Sequence, residues 1–121
     1  MTQLNSNMHK SDEVRLRHML DAASEAVSSV QGRQRGDLVE DRHLARSLVK
    51  LIEIVGEAAS RVSETQRAQL PDIPWVEIVG MRNRLIHAYW DIDLDIVWKT
   101  AADEMPVLVA TLEPLLPPAN E

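Results

Sequence analysis

Apolar residues recur at helical spacing along most of this chain, and that period limits its possible folds more than any other feature. Leu16, Leu20, Ala23, Val27 and Val30 follow one another at steps of three and four, which sets them on one stripe of an α-helix. Leu44, Leu48, Leu51, Val55, Ala58 and Val62 repeat the pattern, as do Leu94, Trp98, Ala101, Met105, Leu108, Leu112 and Leu115. No stretch alternates apolar and polar positions with β-branched residues, so sheet is disfavoured.

The stop and start signals divide these stripes. Ser11 suits a helix cap, and Asp12 and Glu13 suit the positive end of the helix dipole. The spacing predicts helices over Ser11–Val30, Asp41–Val62 and Pro74–Ala88, and a fourth starting near Leu94 and ending about Leu115. Gly32 and Gly36 mark the end of the first. Gly56, Ala58 and Ala59 thin the second helix, so that a neighbouring helix can come close. Pro74 fits a first helical position, where its missing N–H costs nothing. Asp93 is placed to cap the fourth helix, and Pro106 should kink it. The expectation is an all-α fold: an antiparallel bundle of four main helices with a kinked last helix. Residues 1–10 read as a polar leader, 11–116 as the helical domain and 117–121 as a tail.

Composition narrows the chemistry. The 121 residues fit one domain. They include no cysteine, which removes disulfides, thiolate metal sites and cysteine nucleophiles. No apolar run reaches membrane-spanning length, and a cytoplasmic home is the simplest expectation. The net charge is −6. Residues 1–50 hold eight Lys and Arg against seven Asp and Glu, whereas residues 51–121 hold five against twelve. Such a chain is a poor nonspecific binder of phosphate backbones, so any activity on RNA must rest on a local patch. With Trp75, Tyr89, Trp90 and Trp98 the only aromatics, base-stacking platforms are not expected.

One constellation carries chemistry: Met81-Arg82-Asn83-Arg84-Leu85-Ile86-His87-Ala88-Tyr89. An imidazole accepts or gives a proton near neutral pH. A guanidinium holds a phosphate oxygen through two N–H groups. Together they suit phosphodiester cleavage without a metal, the ribose 2′-hydroxyl attacking its own phosphorus while histidine moves protons and arginine stabilises the added charge. On a continuous helix, Arg82 and His87 lie roughly 140° apart around the axis. Asn83 and His87 would be neighbours, and Arg82 and Tyr89 would nearly overlie. One helix thus supplies half a site, and two copies related by a two-fold axis would supply the rest. Spacing alone leaves a structural reading open: a satisfied His87, an Arg82 paired with Glu57 or with an acid of the Asp91–Asp95 loop, and Tyr89 as an anchor.

Arg82-Asn83-x-x-x-His87-x-Tyr89 resembles the Arg-x4-His-x-Tyr signature of HEPN domains, in their HepT-like toxin branch. Glu53-Ile-Val-Gly-Glu-Ala-Ala59, the run from Ile73-Pro-Trp to Ile86-His87, and Asp91-Ile-Asp-Leu-Asp-Ile-Val-Trp98 resemble segments of the same branch. The match covers residues 40 to 115 and shows no departure within the signature. The resemblance implies a dimeric, metal-independent ribonuclease toxin that needs no cofactor and acts on RNA. Its implied partner is a minimal, MntA-like nucleotidyltransferase antitoxin that transfers AMP to the signature tyrosine. Carried over, Arg82 and His87 form the catalytic pair, Asn83 orients or contacts phosphate, and Tyr89 is the modified residue. Glu57 is a further candidate for orienting Arg82 or His87, with a helix-surface ion pair as its alternative. Adenylylation would set a bulky anion where an RNA phosphate must bind.

The remaining signals are weaker. Asp91-x-Asp93-x-Asp95 lacks the glycine and glutamate of a calcium loop, which are Ile96 and Ala102 here. His9, His18 and His43 show no metal-site spacing. Arg33, Arg35, Arg42 and Arg46 form a mild basic cluster, either a guide for RNA or a solvated surface. Besides the ribonuclease, two readings stand: a non-catalytic binding or regulatory subunit of a nucleotidyltransferase, and a plain dimerising bundle.

Overall fold

The computed structural model describes residues 8–88 and 91–118, with 87 and 88 described by their backbone. Helix α1 spans Lys10–Ser29. Its cap is His9 rather than Ser11: the ring Nδ1 of His9 accepts the Ser11 backbone N–H at 3.2 Å. Gly32 turns the chain after α1 at φ 72°, a left-handed conformation that costs glycine nothing. A single turn, α2 (Asp37–Glu40), leads into α3 (Arg42–Ser60). The Asp41 carboxylate caps α3 by accepting the Leu44 N–H at 3.0 Å. A short α4 (Glu64–Ala68) follows, and α5 covers Trp75–Leu85.

The third predicted helix ends earlier than expected. Helix α5 stops at Leu85, and Ile86–Ala88 is a strand, β1, paired antiparallel with β2 (Asp91–Ile92), Ile86 opposite Ile92. The Asp93 N–H donates to the Leu85 carbonyl at 2.7 Å. That bond takes up a carbonyl at the helix end from outside the helix, and the β-branched Ile86 suits the extended backbone.

The last helical run is α6 (Leu94–Lys99), a π-helical turn (Thr100–Glu104), α7 (Met105–Leu112) and a 3₁₀ turn (Glu113–Leu115). As expected, Asp93 caps α6, accepting the Ile96 N–H at 3.1 Å. The irregularity expected of Pro106 takes the form of the π turn just before it. Met105 donates to the Thr100 carbonyl five residues back, and Pro106, lacking an N–H, enters at the start of α7.

Three pairings define the bundle: α1 on α3, α3 on α5, and α1 on α7. All three are antiparallel. Asp12, at the start of α1, accepts the Ser63 N–H (2.9 Å) and hydroxyl (2.7 Å) just past the end of α3. Glu53 and Gly56 on α3 meet Arg82 and Ile78 on α5, in reversed order. Arg17 near the start of α1 donates to the Pro117 carbonyl after α7. Leu16, Ala23, Leu48, Ala101 and Leu112 of the stripes read from the sequence are fully buried at the centre, together with Ala59, Leu85 and Val97 outside those stripes, whereas Val27, Leu94, Trp98 and Leu115 are partly buried against it.

The small residues of α3 do what their size permits. A Cβ on Gly56 would lie 3.0 Å from the Ile78 carbonyl oxygen of α5. Any larger residue at position 56 would push α5 outward. Arg82 rides one turn further along α5, so this close approach fixes how near it stands to α3.

Candidate active site

Arg82 lies in the last turn of α5, with its side chain largely exposed. Its Nε stands 3.6 Å from Oε2 of Glu53, a half-buried carboxylate on α3. At that separation the pair is a loose ion pair rather than a hydrogen bond. Glu53 therefore aims the guanidinium while leaving its terminal N–H groups open to solvent and to an incoming anion.

The sequence offered Glu57 or an acid of the Asp91–Asp95 loop as partner of Arg82, and Glu57 as a group that orients Arg82 or His87. Among the described residues, the carboxylate paired with Arg82 is that of Glu53. Glu57 binds Arg61, four residues on, at 2.9 Å, which is the helix-surface ion pair weighed as its alternative. Both glutamates face α5, but α5 crosses α3 so that its last turn reaches Glu53. Their four-residue separation left the sequence no means of choosing between them.

Asn83 is exposed beside Arg82, and both line a cleft of about 260 Å³ between α3 and α5, with Glu53, Gly56, Glu57 and Ser60 on its other wall. The structure thus brings Arg82, Asn83 and Glu57 to one cleft. The backbone at His87 belongs to β1, so the helical offsets expected between residues 82 or 83 and 87 do not apply. Tyr89 lies outside the described residues.

A second groove adjoins the first and shares Glu53, Glu57 and Arg82 with it. This one, of about 330 Å³, runs between α1 and α3 and is lined by Arg15, His18, Lys50 and Arg61 as well. Nothing in their spacing groups these residues, which lie on two helices and the turn after α3. On the far side of α5, an apolar cleft of about 290 Å³ is bordered by Asp72, Glu77, Asp103 and Glu104. That acidic rim repels polyanions, whereas the Arg82 side carries the cations. The cluster Arg33, Arg35, Arg42 and Arg46 is partly neutralised: Arg33 pairs with Asp41 at 3.1 Å and Arg35 with Asp95 at 2.7 Å.

The sequence of residues 19–115 matches the model of the family described as ribonuclease HepT-like. The chain belongs to the HepT-like ribonuclease family. Relatives agree with that placement. A protein of Caldanaerobacter subterraneus subsp. tengcongensis, named as a candidate RNase, is 35% identical over 101 residues, covering 84% of this chain and 90% of the relative. One of Thermococcus cleftensis, named probable ribonuclease HepT, is 34% identical over 79 residues, covering 65% of this chain and 72% of its own. One of Methanocaldococcus jannaschii, also named as a candidate RNase, is 28% identical over 95 residues, covering 78% and 87%. No solved structure matches the chain. The all-α architecture of this HepT-like ribonuclease is the one expected from its sequence. No helix among its described residues is long and apolar enough to cross a membrane.

Proposed function

We propose that this HepT-like ribonuclease is a metal-independent endoribonuclease toxin that works as a homodimer. The observation that carries the reading is an exposed guanidinium, Arg82, held loosely by Glu53 on an open cleft, five residues before a histidine. In the proposed reaction His87 takes the proton of a ribose 2′-hydroxyl. The freed oxygen attacks the adjacent phosphorus, and Arg82 stabilises the charge that builds on the phosphoryl oxygens. The bond to the 5′-oxygen breaks, and that oxygen leaves with a proton from the second subunit's histidine. The products are a 2′,3′-cyclic phosphate and a 5′-hydroxyl. Asn83 contacts or orients the phosphate.

In this reading the partner that restrains the toxin is a minimal nucleotidyltransferase antitoxin, which transfers AMP to Tyr89. The adduct places a phosphate anion and a nucleoside next to the site, blocking RNA by charge and by bulk. The net charge of −6 favours a second reading, a non-catalytic subunit of such a nucleotidyltransferase. The intact Arg-Asn-x3-His set opposes it, because a scaffold has no need of those side chains.

The deciding experiment compares RNA cleavage in EDTA by the wild type and His87→Ala. The wild type should leave 2′,3′-cyclic ends, and His87→Ala should be inactive while keeping its oligomeric state. Equal cleavage by both would refute the assignment. Mass spectrometry after incubation with ATP and the partner should find AMP on Tyr89, and an adduct elsewhere would remove that step.

A further inference from the structure

The groove between α1 and α3 is unusual for so acidic a chain. Arg15 and His18 reach it from α1, Lys50 from α3, and Arg61 from the turn beyond α3, and it runs up to Arg82. Arg61 and Arg82 have carboxylate partners in Glu57 and Glu53. Among the described residues, no carboxylate is paired with Arg15, His18 or Lys50. The protein therefore carries −6 overall yet presents a strip of uncompensated donors beside its candidate site. Repulsion between the Arg15 and Lys50 charges and the guanidiniums beside them is lowered when an anion lies among them, and a chain of phosphates is the anion whose shape follows a groove.

We propose that this groove binds the backbone phosphates of the RNA strand flanking the cleavage point, with Arg15, His18 and Lys50 as its contacts. The proposal rests on the ribonuclease reading and extends it along the substrate. The scissile phosphate lies at Arg82. The strand then continues over α3 towards Lys50 and is flanked by α1, with Arg15 and His18 donating from that side. Lys50 and Arg61 are separated by about three helical turns, roughly 16 Å, so the groove holds more than one phosphate. Recognition of this kind reads backbone rather than bases, in keeping with a groove whose lining includes no Phe, Tyr or Trp among the described residues.

The test measures binding of a short 2′-O-methyl oligoribonucleotide, which lacks the attacking hydroxyl and so cannot be cleaved by this route. Fluorescence anisotropy would follow the wild type, Arg15→Ala/Lys50→Ala, and Arg42→Ala/Arg46→Ala. The last pair removes the same charge outside the groove. The groove variant should bind roughly tenfold more weakly at low salt, and its slope of log affinity against log salt should shrink by about 0.7 per lost contact. Arg15→Lys/Lys50→Arg should restore most of the affinity. In cleavage assays the groove variant should show a raised KM with kcat within about twofold of wild type. Unchanged affinity and salt slope, or an equal loss in the Arg42/Arg46 variant, would overturn the proposal. Absence of cleavage by the wild type would instead strike the ribonuclease reading, since the binding measurement does not depend on turnover.

Discussion

Consider Gly56→Ala. In an exposed helix this change stabilises by about 1 kcal/mol, because alanine loses less backbone entropy on folding. Here the added Cβ would stand 3.0 Å from the Ile78 carbonyl oxygen and 3.9 Å from that of Val79. The nearer atom is backbone and cannot swing aside, so α5 must retreat by a few tenths of an ångström. Overpacking of this kind costs about 1–3 kcal/mol. The expected net effect is a loss of about 1 kcal/mol where propensity alone expects a gain. Gly56→Val adds further bulk at the same contact and gives up the propensity gain, so its loss should approach 3 kcal/mol. Thermal unfolding followed by circular dichroism, at one fixed protein concentration, should show Tm falling by about 4 °C and then about 12 °C. Cleavage should fall in the same order, since Arg82 moves with α5. A Gly56→Ala protein that melts several degrees higher than wild type would refute the close approach of α3 and α5.

Asp12→Ala should destabilise by about 3 kcal/mol in urea titration, because it removes the charged acceptor of two hydrogen bonds from Ser63. A loss below about 0.5 kcal/mol would show that the link between α1 and α4 is idle. Leu85→Ala, at a fully buried position, should cost about 2–5 kcal/mol by the same measurement, and a neutral result would mean that α5 does not end against the core. Glu53→Gln should leave stability within about 0.5 kcal/mol, since Arg82 is largely exposed. Its kcat should drop severalfold while KM holds or falls, because the guanidinium loses its aim and its competing anion together; an unchanged kcat would remove Glu53 from the site.

Much of the bundle was legible because its causes are local. Asp41 and Asp93 cap the helices that begin beside them, and Gly56 announces a close neighbour by having no side chain. What escaped the sequence depends on distant groups. Leu85 and Ile86 continue an apolar pattern without a break, and the end of α5 is set in part by Asp93 donating from the far side of the ribbon. The π turn reflects Pro106 acting on residues before it. Within the candidate site, Arg82 and Asn83 were legible as chemistry. The choice of Glu53 over Glu57 depended on the register of α5 against α3. His18 looked scattered because its neighbours in the groove, Lys50 and Arg82, are joined to it only by the fold.

The passage from helix to strand at Leu85 divides the signature between two kinds of support. Arg82 belongs to the bundle and shares its global stability. The backbone that carries His87 belongs to a two-stranded ribbon, and such a ribbon is marginal on its own in water. The two halves therefore have different free energies of opening. Amide exchange should be slow in the middle of α5 and fast in the two strands, Ile86–Ala88 and Asp91–Ile92. A binder that captured the ribbon in an open form would displace the backbone at His87 from the end of α5 while every helix stayed folded, a disturbance confined to the ribbon.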